Sequence, residues 1–299
     1  MSLAEKMAVR RGRPAPPPHE LYDEVAEAAA DLVIRRYSTS FGLASRLLAP
    51  PVRTHVRNVY ALVRVADEIV DAPRPDGDVA GRDALLTELH TEVGRALATG
   101  HSANLVVHAF ARTARTCGID TELIDPFFAS MRMDLEWVEH DEASFAAYVH
   151  GSAEVIGLMC LRAFLLEVPD AQAQYQRLRH GAMRLGAAFQ KINFLRDLAA
   201  DHDHLGRSYF PGLDVDHFDA ATRDRLLDDI DADLAVAAGA IVHLPASSRR
   251  AVRAAHALFG ELAARLRRTP PASIRTRRVR VPSPRKAQLV ALVLARGAA

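Results

Sequence analysis

Asp197 and Asp201 stand four residues apart within residues 185–210, LGAAFQKINFLRDLAADHDHLGRSYF. Asp67 and Asp71 repeat that spacing within residues 59–72, VYALVRVADEIVDA. On a helix such a pair shares one face, where two carboxylates repel by roughly 0.2–0.5 kcal/mol when exposed and by more when desolvated. A hard divalent cation turns that repulsion into a site. Mg2+ takes one or two carboxylates and leaves coordination positions for phosphate oxygens. Gly186, Gln190 and Asn193 continue the face of the second pair at spacings of four, three and four, and Arg64 lies three residues before Asp67 on the face of the first. Two such pairs facing each other across a helical interior would gather metal, and the nearby Arg64 and Arg196 would take the remaining oxygens of a diphosphate. The pattern points to an enzyme with a diphosphate leaving group. Glu68 is turned about 100° from Asp67 and is expected to point off the site, and Arg196, next to Asp197, lies off the carboxylate face.

The elements that must carry these residues read as helices. Phe189, Ile192 and Leu195 form an apolar stripe beside the polar ladder, and residues 21–36, 52–72, 81–98, 104–117, 222–242 and 246–268 have helical periodicity. A short helix is expected over 41–48, stopped by Pro50 and Pro51. Gly118 is placed to close residues 104–117, Pro126 to sit in the first turn of a helix reaching Glu139, and Ser144 to cap one running to Glu167. Residues 73–78 and 211–219 read as loops. With no repeat and no alternating run that demands a sheet, the prediction is an all-α single bundle of about eight to ten helices around a central cavity. Residues 1–20, rich in Arg and Pro, read as a disordered tail. Residues 21–269 read as the packed body, and 270–299 as a basic C-terminal segment with a short packing helix over 287–294.

The motifs resemble those of a known family. YALVRVADEIVD, and FQKINFLRDLAADHD followed by GRSYFP, resemble the two aspartate-rich motifs of the squalene and phytoene synthases, the head-to-head prenyl transferases with an isoprenoid synthase fold. RRYSTSFGLASRLL resembles the N-terminal segment of that family, and MRMDL (131–135) and YVHGSAEVIGLM follow in the expected order. The resemblance spans residues 22–266, and DEIVDAP and LGRSYFPG look most like bacterial phytoene-forming members. It implies that Asp67, Asp71, Asp197 and Asp201 hold Mg2+ or Mn2+ and that Arg64 clamps diphosphate. It also implies that Ser38, Ser40 and Phe41 meet a diphosphate, with Gln190, Asn193 and Arg196 as polar lining. Tyr60, Tyr148, Arg207 and Tyr209 match positions near the site, where an aromatic face can stabilise a carbocation, and Asp134 is a weaker candidate. Tyr37 stands where some relatives have His. Ala153 and Gly157 leave room for a prenyl chain. The chain departs from the family at His150, which replaces a Tyr, and at Glu154, which replaces a Gly. Those two changes bear on product specificity more than on chemistry.

The implied activity is condensation of two geranylgeranyl diphosphates to phytoene through a cyclopropyl diphosphate, with no need for NADPH. The alternatives are a farnesyl diphosphate-using squalene, dehydrosqualene or presqualene diphosphate synthase, a class I terpene cyclase, and a non-catalytic helical scaffold. A net charge of +1 gives no basic field for nucleic acid. Cys117 and Cys160 read as free thiols in a reducing compartment. No uninterrupted apolar run reaches a bilayer-spanning length, so a cytoplasmic enzyme is expected. The basic run 275–286 followed by apolar 287–294 leaves peripheral membrane contact as a minor alternative. The cluster Asp201, His202, Asp203 and His204 reads as a solvated helix end rather than a zinc site.

Overall fold

A computed structural model describes residues 17–71, 78–135, 139–205 and 208–296, except for the side chains of residues 39, 40, 200–205 and 296. Its described elements are helical: α1 (Pro18–Tyr37), α2 (Thr39–Ser45), α3 (Pro50–Asp71), α4 (Val79–Thr99), α5 (Leu105–Cys117), α6 (Thr121–Met133), α7 (Glu142–Val149), a π-helical turn (His150–Glu154), α8 (Val155–Phe164), α9 (Ala171–Leu205), α10 (Ala220–Ile241), α11 (Ala246–Arg268), α12 (Pro271–Ile274) and α13 (Ser283–Arg296). The all-α prediction holds. The expected disordered residues 1–16 lie outside the described ones, and α1 begins at Pro18, inside the stretch read as tail.

The caps explain most boundaries. Asn104 accepts from the amides of Val106 and Val107, and Gly118 closes α5 at φ 69°. Three expectations shift. Asp120 caps α6, which puts Pro126 in the helix interior rather than its first turn. Asp141, not Ser144, is the N-cap of α7, and Ser144 returns the bond in a reciprocal capping box. The short helix runs over Thr39–Ser45 rather than 41–48 and ends before Pro50 is reached, while Pro50 and Pro51 open α3, where a missing N–H costs nothing.

Two cores flank a central cavity. The first joins α3, α4, α5, α6 and α8 around Phe110, Phe127, Phe128 and Leu161. The second gathers Ile192, Leu195, Phe194, Phe210, Leu227 and Phe259 around α9, α10 and α11. The packed body does not end at Pro270. Ile274 is fully buried and Val281 nearly so, both in the second core, and Arg285 pairs with Glu261 on α11 at 2.9 Å. Burying those two aliphatic side chains draws the basic segment onto the bundle.

By length and composition one described helix, Glu142–Phe164, reaches a bilayer-spanning threshold, with a mean hydropathy of 1.3; 56% of that window is buried against the rest of the protein. Sequence reading passed over it because Glu154 and His150 interrupt the apolar run.

Candidate functional site

The cavity between the two cores has a volume of about 1050 Å3, at the upper end of ligand sites, roughly 300–1000 Å3. α3 and α9 both contribute to its wall. Asp67, Asp71, Arg64, Tyr60 and Val63 come from α3. Gly186, Phe189, Gln190, Asn193, Arg196 and Asp197 come from α9, so the four-three-four ladder does share one face, while Ile192 and Leu195 are fully buried behind it. Away from these charges the lining is apolar, with Phe164, Leu178, Ile241 and Leu244 among it.

The α3 side carries an excess of acid. Asp67 is pushed up to about 7, chiefly by burial and then by Asp71, with Arg64 opposing and Asp134 and Glu68 adding to the rise. Arg64 lies 3.7 Å from Asp67 but pairs more closely with Glu68, and its guanidinium sits 4.5 Å over the Tyr37 ring. Glu68 thus lies off the cavity lining, as expected, but draws Arg64 toward itself. Asp134 accepts from the Tyr148 hydroxyl at 2.8 and 2.9 Å and from Tyr209 at 3.3 Å. Burial, with that neighbouring carboxylate, raises the Tyr148 phenol well above its usual value, so it stays a donor.

Among the described side chains, the α9 side carries an excess of cation. Asp197 pairs with Arg196 and with Arg278, the latter at 2.7 Å. Arg278, Arg280 and Lys286 line the cavity from the segment between α12 and α13 and the start of α13. Burial lowers Lys286, and Arg196 and Arg280 lower it further. Sequence reading missed these three as site residues. The signal was present in the alternation Arg278, Val279, Arg280, Val281, which suits an extended strap with one face buried.

The remaining expected residues divide plainly. Ser38, Phe41, Tyr148, Ala153, Gly157 and Tyr209 line the cavity. Ser38 also caps α2, accepting from the Phe41 amide at 3.1 Å, and bonds to Tyr60. The side chains of Ser40 and Asp201, all of Arg207, and the Asp201–His204 cluster lie outside the described residues. Aromatic rings crowd the wall: Phe189 stacks on Phe259 at 3.9 Å, and Phe194 on Tyr209 at 4.2 Å.

The donor set fits Mg2+. Among the described residues no group of three His, Cys, Asp or Glu is arranged to hold a metal alone. Asp67 and Asp71 offer hard oxygens to the cavity, and a magnesium ion there would complete its shell with phosphate and water.

A family model described as squalene/phytoene synthase matches residues 34–285. Phytoene synthase of Mycobacterium tuberculosis is 27% identical over 292 residues, which cover 91% of each chain. The 15-cis-phytoene synthase of Synechocystis is 27% identical over 65% of this chain and 58% of its own length. Phytoene synthase 3 of Zea mays is 28% identical over 60% of this chain, a match that spans 41% of the maize protein. In fold, a dehydrosqualene synthase superposes with a TM-score of 0.77 at 20% identity, over 94% of this chain and 99% of its own. The squalene synthase HpnC of Alicyclobacillus acidocaldarius superposes at 0.69 and 19% identity, over 83% and 95%.

Proposed function

Because the chain belongs to the squalene/phytoene synthase family, we propose that it joins two geranylgeranyl diphosphates head to head to give phytoene. The observation that carries this reading is one cavity, lined by residues of both aspartate motifs and by many apolar side chains, large enough for more than a single small ligand. Loss of diphosphate from one substrate leaves an allylic cation, and the C2–C3 double bond of the second attacks it. Proton loss then closes a cyclopropane. Loss of the second diphosphate rearranges the ring, and a second proton loss gives the 1-1′ linked hydrocarbon. Two diphosphates and two protons leave, and no reductant is consumed.

The chain's own residues bind, orient and exclude water. Arg64, Arg196 and Arg278 offer guanidinium forks to diphosphate oxygens. Mg2+ held by Asp67, Asp71, Asp197 and Asp201 would supply charge neutralisation for the leaving group. Tyr148 and Tyr209, anchored on Asp134, and Phe189 and Phe194 present aromatic faces where positive charge develops. The apolar lining keeps water from the cation.

Product mass after incubation with Mg2+ and either geranylgeranyl or farnesyl diphosphate, with and without NADPH, tests the reading. A C40 hydrocarbon made without NADPH is expected. A C30 product would keep the condensation and replace the substrate. A cyclic C15 or C20 product, or none, would overturn it.

A further inference from the structure

Glu154 and His150, the two departures from the family wording, meet each other. The His150 ring nitrogen Nδ1 lies 3.0 Å from a Glu154 carboxylate oxygen, across the π-helical turn that joins α7 to α8. The Glu154 side chain is 6% exposed and pairs closely with Arg184 on α9. Arg184 reaches Asp233 on α10 at 3.3 Å, and Asp233 accepts from Lys191 at 2.9 Å. Lys191 also binds Asp229 at 2.5 Å. None of these side chains lines the cavity, yet three sit beside one that does: Glu154 follows Ala153, Arg184 precedes Leu185 and Gly186, and Lys191 follows Gln190.

The turn they hold is itself wall. Ser152, Ala153, Ile156 and Gly157 face the cavity. A Cβ on Gly186 would lie 2.4 Å from the Ala153 carbonyl oxygen, one on Gly157 2.5 Å from that of Ala182, and one on Gly151 2.2 Å from that of Pro126. Backbone therefore meets backbone on several sides of the turn, and a slide of the wide turn along α9 must move the wall. A π turn is an alternative to a regular helical one and needs a reason to persist. A buried carboxylate with partners on its own turn and on the next helix provides it, since leaving such a charge unpaired is costly.

We propose that Glu154, gripped by His150 and Arg184, is a positioning residue that sets the register of the π turn against α9 and so the prenyl chain length the cavity selects. The inference rests on the reading above that the cavity takes prenyl diphosphates. Its test is binding of the non-reacting S-thiolo analogues of geranylgeranyl and farnesyl diphosphate, measured by calorimetry with Mg2+ beside thermal unfolding. Glu154→Gln and Arg184→Gln should each change the ratio of the two dissociation constants by about fivefold, and the double variant by no more than either alone. Glu154→Gly with His150→Tyr, which restores the family residues, should shift the same ratio while keeping the fold. Asp229→Asn, at the exposed far end of the network, should leave it unchanged. Variants that lose only thermal stability, with the ratio intact, would reduce the network to a structural staple and overturn the inference. Failure of the wild-type protein to bind either analogue would instead overturn the substrate reading.

Discussion

The two aspartate motifs share one spacing, yet among the described side chains their surroundings are opposite in charge. On α3, Asp67 stands with Asp71 and Asp134 nearby and an Arg64 drawn toward Glu68, and burial first, then the neighbouring acids, lift Asp67 to about 7. On α9, Asp197 is held between Arg196 and Arg278, with Arg280 and Lys286 also on the cavity wall. Equal spacing does not make equal sites. The α3 pair is prepared for an added cation, and the α9 side for an added anion, which is the polarity a metal–diphosphate pair would need.

The largest effect should come from removing the acid on α3. Asp67→Asn or Asp71→Asn is expected to lower turnover roughly 10²–10³-fold and to weaken Mg2+ binding in a direct titration. Chelation should abolish turnover and restore it on readdition. An Asp71→Asn enzyme with full activity would break the contrast at once. A second difference is steric. α3 has no glycine, whereas Gly186 on α9 meets the Ala153 carbonyl, and a Cβ there would fall at 2.4 Å. Gly186→Ala should cost about 1–3 kcal/mol in a denaturant titration, because the obstacle is backbone.

Acidity gives the third test. Between about pH 4 and 7 the unfolded Asp67 carboxyl is ionised while the native one keeps its proton. The native state then binds more protons, so this group's contribution to metal-free stability falls as pH rises through that window. The slope it adds is at most about 1.4 kcal/mol per pH unit. Denaturant midpoints of wild type and Asp67→Asn, whose amide mimics the protonated acid, should therefore match near pH 4 and separate toward pH 7 with the wild type falling below, and parallel curves would remove the acid excess from the account. The smallest effect belongs to the α9 side. Arg278→Gln should raise KM for the diphosphate substrate about threefold to tenfold with kcat little changed, as expected for loss of one partly exposed cation among several.

Much of this was legible in the residues alone. Helical periodicity gave the all-α bundle, and the spacing of Gly186, Gln190, Asn193 and Asp197 put them on one face because that geometry is local. The errors came where one position has several local solutions. Asp141, three residues upstream, took the capping role expected of Ser144, and Asp120, six residues before Pro126, started α6 earlier than the proline signal implied. Arg278, Arg280 and Lys286 were read as a basic tail, because their place in the site depends on Ile274 and Val281 reaching a distant core. Asp134 was underweighted for a similar reason: its phenol donors come from α7 and from the segment after α9, 14 and 75 residues away in sequence.

The strap from Arg278 to Ser283 also orders events in time. Every other described residue of the cavity wall, apart from Lys286, leaves the ribosome before it does, and chains fold from the N-terminus as they emerge. The growing protein can therefore build both aspartate helices and most of the apolar wall while the cavity still lacks the strap. Synthesis delivers the cations last, so a chain arrested short of residue 278 holds its acids together but has an incomplete grip on an anion.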